Sequence, residues 1–292
     1  MTGRLDYLLN NYDVSNPKAK ENAVREVIQE MTLYGLSQTD FFDRASFMGD
    51  TDLRIFHGLD RFSEDLDFIL KEPDERFSFS AYTESLEETL ETFGIDFKVE
   101  AVEKKRHGNI RGGVVKANTR EIYLKFYSDD DRTKDIYPTQ LSKIKMEVDI
   151  DPAEGAQFEK KFKTRPFGYM LTSCDMPTMF AGKIHAILCR PWANRFKGRD
   201  LYDYIFYLNN GVPYNLAFLN SKMRRTTPDM EGDLSHADVM ELLNRRFKEI
   251  DYGSAIDDVS NFIGSKEYNS VRIWCPEMFE QITVSLKSCI IK

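Results

Sequence analysis

Two stretches of this 292-residue chain alternate apolar and acidic residues with the two-residue period of a β-strand. In residues 64–70, Leu66, Phe68 and Leu70 take one face and Asp65 and Asp67 the other. In residues 144–150, Ile144, Met146, Val148 and Ile150 alternate with Lys145, Glu147 and Asp149. Such strands build a sheet with one apolar face turned to a core and one polar face.

Around these strands the periodicity predicts helices over 17–34 with Gly35 as stop, over 39–45, from 50 to 56, and over 79–93 ending at Gly94. Alternation predicts two more strands, at Ile95-Phe97-Val99 and at Ile122-Leu124-Phe126, and Arg111-Gly112-Gly113 reads as a turn between them. After about Pro166 the pattern turns helical. Helices are expected over 176–190 with Asp175 as N-cap, and over 198–208, 216–225, 237–250 and 276–288. The expected fold is α+β: an α/β domain over 1–170 and a helical domain over 171–292.

The composition, 41% hydrophobic and 30% charged, is that of a globular chain. A net charge of -8 excludes a general nucleic-acid coat protein, which needs a basic surface. Three local basic clusters stand against that balance. They are Lys160, Lys161, Lys163 and Arg165; Arg190, Arg195, Lys197 and Arg199; and Lys222, Arg224 and Arg225. Charge clusters usually form solvated faces. The four cysteines form no C-x-x-C pair and are expected as reduced thiols. With no apolar leader and no membrane-length apolar run, the expectation is a cytoplasmic protein without a membrane partner. The absence of G-x-S-x-G, P-loop and G-x-G-x-x-G motifs argues against hydrolase, P-loop NTPase and dehydrogenase readings.

The D-x-D of Asp65 and Asp67 sends two hard oxygen donors to one side of a strand, where they could hold divalent ions beside a phosphate. The bland outcome is a strand face that simply meets water. Gly49-Asp50-Thr51 lies just upstream, at an expected helix start whose backbone N–H groups favour an anion. Glu147 and Asp149 repeat the two-acid pattern. If their strand neighbours the first, three carboxylates converge, as two-metal phosphoryl chemistry requires. In the helical half, Lys183 either snorkels to solvent or reaches a triphosphate. Asp200 and Asp203 share a helix face, and Lys197 and Arg199 either hold phosphates or lie on the surface.

These segments resemble a known family. Gly49-Asp50-Thr51-Asp52-Leu53-Arg54 followed by Arg61-Phe62-Ser63-Glu64-Asp65-Leu66-Asp67-Phe68 is similar to the signature of AbiEii/AbiGii-type nucleotidyltransferases. Ile144-Lys145-Met146-Glu147-Val148-Asp149, Ala181-Gly182-Lys183-Ile184-His185-Ala186 and Lys197-Gly198-Arg199-Asp200-Leu201-Tyr202-Asp203 resemble its later motifs, in family order. The resemblance implies a polymerase-β-like mixed sheet with flanking helices plus a C-terminal helical domain. It implies Mg²⁺ or Mn²⁺ and an NTP substrate. Family members are toxins paired with an antitoxin; some act on tRNA ends and some in phage defence. Carried onto this sequence, Asp65, Asp67 and Glu147 would be catalytic metal ligands, with Asp149 as the rival third acid. Lys183 and Asp203 would complete the catalytic set. Gly49, Thr51, Arg54, Ser63, Lys183, Lys197, Arg199 and Asp200 would line the nucleotide. The acceptor is expected to be RNA, at a tRNA end, with a protein acceptor as the alternative. One departure stands out: Asp50 replaces the family's second glycine, which favours a member that only binds a nucleotide or partner.

Overall fold

The computed structural model describes residues 5–102, 108–127, 136–190, 197–230 and 232–289. Along the chain run α1 (Pro17–Ser37), α2 (Phe41–Arg44), β1 (Ala45–Met48), α3 (Asp50–His57), β2 (Leu66–Leu70), α4 (Thr83–Glu91), β3 (Lys98–Val102), β4 (Ile110–Asn118), α5 (Thr119–Phe126), β5 (Leu141–Asp149), β6 (Phe158–Lys163) and β7 (Tyr169–Cys174). Then follow α6 (Met176–Cys189), α7 (Gly198–Asn209), β8 (Tyr214–Asn215), α8 (Leu216–Thr226), α9 (His236–Lys248), α10 (Tyr252–Ser260), α11 (Ser265–Val271), α12 (Pro276–Thr283) and β9 (Ser288–Cys289). The fold is α+β, and the chain divides into two compact units. The first comprises Met1–Thr51, Glu64–Pro152 and Lys160–Ser173; the second comprises Asp52–Ser63, Ala153–Glu159 and Cys174–Lys292.

The main sheet has seven strands in the order β3-β4-β5-β2-β1-β7-β6. It is mixed: β2 with β5 and β1 with β7 run parallel, while β1–β2, β3–β4 and β4–β5 are antiparallel. Phe47, Leu66, Phe68, Ile144, Met146 and Val148 bury the core face. There Phe41 packs edge-on against Phe68, with ring centres 4.9 Å apart. The two acidic strands are therefore real, and they are neighbours.

Four local expectations are corrected. Residues 122–126 are helical, not extended. Asn118 caps the backbone N–H groups of Arg120 and Glu121, and Ile122, Tyr123 and Phe126 face inward while Leu124 stays exposed. Gly112 and Gly113 are not a turn but lie inside β4. A Cβ on Gly113 would come within 2.8 Å of Met146 and 3.0 Å of Phe79, so this glycine permits close packing. The strand near residue 95 begins only at Lys98. Gly35 does not stop α1; its missing side chain admits Leu86, whose Cδ1 would lie 2.4 Å from a Cβ there.

In the second unit, Asp175 caps α6 by accepting from the Thr178 amide at 2.9 Å, as its sequence predicts. Tyr207 stacks on Phe180 with ring centres 4.5 Å apart, and Tyr204, Phe247 and Phe279 extend that core. All four cysteines are free thiols. Among the described residues no helix is long and apolar enough to cross a membrane.

His185 on α6 lies 3.0 Å from the Thr226 hydroxyl. Burial, then the cations Lys222 and Arg190, push its pKa down to about 4 from an ordinary 6.5. As pH falls below 6.5 the unfolded chain takes up this proton before the folded one does. The stability tied to neutral His185 is thus complete above pH 6.5 and is lost progressively toward pH 4. Urea midpoints measured over that range should fall more steeply for the wild type than for His185→Gln. Equal slopes would show that the imidazole is not held neutral.

Candidate active site

The carboxylates of the first unit are placed by strand register. In the parallel β2–β5 pair, Asp67 lies opposite Glu147, and Ile69 lies opposite Asp149. Opposed residues share a sheet face, so Asp67, Glu147 and Asp149 all point away from the core face. Asp65 sits two residues before Asp67, just ahead of β2. The Thr51 hydroxyl, buried in the first turn of α3, donates to the Asp65 carbonyl and fixes the approach to the strand. Gly49, between β1 and α3, has φ +85°, a conformation that favours glycine. A Cβ on it would lie 3.0 Å from Asp67 Oδ2, so the bare backbone of this turn leans directly on the Asp67 carboxylate.

This donor set suits a divalent ion of the Mg²⁺ or Mn²⁺ kind, which takes one or two carboxylates and completes its shell with water and phosphate. Among the described residues no three His, Cys, Asp or Glu side chains come together as a group that could hold a metal ion. Two acids are side by side in register, with Asp65 next to them along the chain. The Asp149 carboxylate also accepts from the Asp151 amide at 3.1 Å, which gives it a turn-forming role at the end of β5.

The second unit carries a buried ionic network. Arg61 is fully buried and grips Asp203 as a fork, Nε to Oδ1 and Nη2 to Oδ2, both at 2.6 Å. Lys183 Nζ lies 2.7 Å from Asp203 Oδ2 and 2.9 Å from Asp200 Oδ1. Arg190 pairs with the other Asp200 oxygen. The helix spacing that puts Asp200 and Asp203 on one face of α7 thus lets both meet one lysine from α6. Gly198 opens α7 against α10; a Cβ there would overlap the Ala255 carbonyl at 1.7 Å.

Over residues 32–273 the sequence matches the family described as nucleotidyl transferase AbiEii toxin, of type IV toxin–antitoxin systems. The chain belongs to the AbiEii family. It is accordingly a nucleotidyltransferase of the toxin class, and NTP is its substrate type. No curated protein matches it. Among solved structures it is similar to MenT4, a nucleotidyltransferase toxin from Mycobacterium tuberculosis H37Rv. That likeness has TM-score 0.51 and 16% identity, over 91% of MenT4 and 98% of this chain. It is also similar to JHP933 from Helicobacter pylori at TM-score 0.47 and 17% identity, over 90% of that protein and 91% of this chain. At this identity MenT4 bears on the fold alone, and it agrees with the α+β architecture.

Within this AbiEii protein the expected site residues fall into three groups. Gly49, Thr51, Asp65, Asp67, Glu147 and Asp149 lie in the first unit, on or beside the paired strands. Lys183, Asp200 and Asp203 form the buried network of the second. The remaining four lie in the second unit. Arg54 donates to the carbonyls of Leu59 and Asp60, both at 3.0 Å, and so ties the loop after α3. Arg199 stacks over Phe262 at 4.0 Å and faces Asp258 at 3.5 Å. Lys197 is the residue before α7, and Ser63 is buried.

The basic clusters are also partly consumed by the fold. Lys163 pairs with buried Glu30, and Lys160 donates to Thr172. Arg224 pairs with Asp233, and Lys222 lies over the Phe218 ring. Arg195 lies outside the described residues. Sequence reasoning missed Arg61 as a partner of Asp203, because nothing local marks a guanidinium that turns inward to an acid 142 residues away.

Proposed function

We propose that this AbiEii protein transfers a nucleoside monophosphate from an NTP to a hydroxyl at the end of an RNA, specifically a tRNA. We place it in the cytoplasm as the toxin of a pair with a cognate antitoxin, acting in phage defence. The observation that carries the reading is the register that sets Asp67 beside Glu147 with the Gly49 turn packed on Asp67.

The acceptor oxygen forms a bond to the α-phosphorus, the bond to the bridging oxygen breaks, and pyrophosphate leaves with those electrons. Glu147 takes up the hydroxyl proton. Asp65, Asp67 and Glu147, with Asp149 next on the strand, would hold Mg²⁺ or Mn²⁺, which when bound neutralises charge at the reacting phosphate. The Gly49–Thr51 turn offers backbone N–H groups to a phosphate at the start of α3. Lys183, held by Asp200 and Asp203, is assigned to the triphosphate.

The test is incubation with each labelled NTP, Mg²⁺ and total RNA. Label should enter RNA with the wild type and fall at least a hundredfold with Asp65→Ala, in line with losing a charge-stabilising group. Label in protein would move the reading to a protein acceptor, and a fully active Asp65→Ala would remove the metal assignment. A second reading rests on Asp50, the first residue of α3. A carboxylate there suits the helix dipole but competes with an anionic phosphate for the same end. Nucleotide binding with no label in any acceptor would favour this non-catalytic reading.

A further inference from the structure

We infer that the outward face of β4 and β5 is the track along which the acceptor RNA strand reaches Glu147, with its phosphates held by Lys143 and Lys145. The inference rests on RNA as the acceptor. Lys143, Lys145 and Glu147 are alternate residues of one strand, so all three leave the same face, at steps of roughly 6.6–7 Å. That step is close to the reach of one nucleotide of extended single strand, so two successive phosphates can meet two successive lysines.

Both lysines are exposed. Neither is ion-paired among the described residues, unlike the other lysines of this face. Lys116, opposite Lys143, pairs with Glu100, and Lys98 on β3 lies 3.2 Å from Asp96. The three basic clusters evident in the sequence are likewise partly tied to acids of the fold. Other described cations, Arg120 and Arg245 among them, also lack an ion pair among the described residues; what sets Lys143 and Lys145 apart is their place on the same strand face as Glu147.

The neighbours across the strand pair support a ligand here. On the β4 side Lys145 faces Val114 and Glu147 faces Gly112, so no acid of β4 stands opposite either. β2 joins β5 only from Met146 onward, which leaves residues 141–145 projecting past it. The projecting end bears the lysines, and the paired end bears Glu147 and Asp67. A strand laid along β5 therefore meets positive charge first and the acids at its terminus.

The test uses the full-length protein and a fluorescent single-stranded RNA oligonucleotide with a free 3′ hydroxyl. Binding is measured by anisotropy over a KCl series, and transfer by the labelled-NTP assay. Lys143→Gln/Lys145→Gln should bind the oligonucleotide roughly tenfold more weakly. Its slope of log K against log salt should be shallower by about 1 for each lysine removed. KM for RNA should rise while KM for NTP and the melting temperature stay unchanged. Lys98→Gln, which removes a lysine already engaged by acids, should bind like the wild type. If the double variant binds and labels RNA as the wild type does, the track is wrong although RNA remains the acceptor. If the wild type neither binds the oligonucleotide nor labels RNA, both the track and the RNA reading fall.

Discussion

Replacing Asp203 by alanine is expected to destabilise this protein by about 3–5 kcal/mol, the range for removing one partner of a buried ion pair. The Asp203 carboxylate is fully buried and receives Arg61 Nε, Arg61 Nη2 and Lys183 Nζ within 2.7 Å. Alanine would take this counter-charge away from the buried Arg61 guanidinium, which also donates to the Phe62 carbonyl at 3.1 Å. Asp200→Ala should cost clearly less, because its partner Arg190 is about a third exposed (32%) and can turn to water. In a thermal melt the Asp203→Ala transition should fall by roughly 10 °C. The measurement separates two roles. If Asp203 serves mainly as a ligand to substrate or metal, the variant would lose activity and melt within a degree or two of the wild type. If it holds the network, stability falls first, and Asp203→Asn, which keeps the shape but not the charge, lies between.

That network also shows where the sequence stopped being readable. The period-two acids of β2 and β5 were legible because strand alternation is local. Their pairing was not, since Asp67 meets Glu147 only through a register set by the whole sheet. The helix at 119–126 is hidden in the sequence because Ile122, Leu124 and Phe126 satisfy a strand pattern. Its helical signals were Asn118 as cap, Glu121 in the first turn and Lys125 in the last. The Gly112-Gly113 pair marks a turn in sequence, whereas in the fold Gly113 relieves crowding from Phe79 and Met146. The cations were the least legible. Lys163, Arg190 and Arg224 look alike in sequence to Lys143 and Lys145, yet among the described residues the first three are matched to acids and the last two are not.

The Gly49 turn offers the sharpest test of whether the geometry at Asp67 matters to the chemistry. In Gly49→Ala the residue keeps φ +85° only under strain, at a cost of about 1–2 kcal/mol for a left-handed alanine. The new Cβ also lies 3.0 Å from Asp67 Oδ2 and 3.3 Å from Asp67 Cβ, tighter than a relaxed contact, so the carboxylate must shift. A contact of this length makes Asp67 give by a few tenths of an ångström, a fraction of the ~1 Å displacement that costs on the order of 10²-fold in rate. Nucleotide transfer by Gly49→Ala should therefore fall by up to about tenfold while the protein stays folded. Gly58→Ala supplies the control: its φ is +79°, and nothing lies within 4 Å of the added Cβ. It carries the same backbone strain without touching Asp67, so its stability should fall by a similar amount and its activity should stay near wild type. Equal activity losses in the two variants would mean that strain, not the Asp67 carboxylate, is what Gly49 governs. Full activity in Gly49→Ala would remove the turn and Asp67 from the reacting site together.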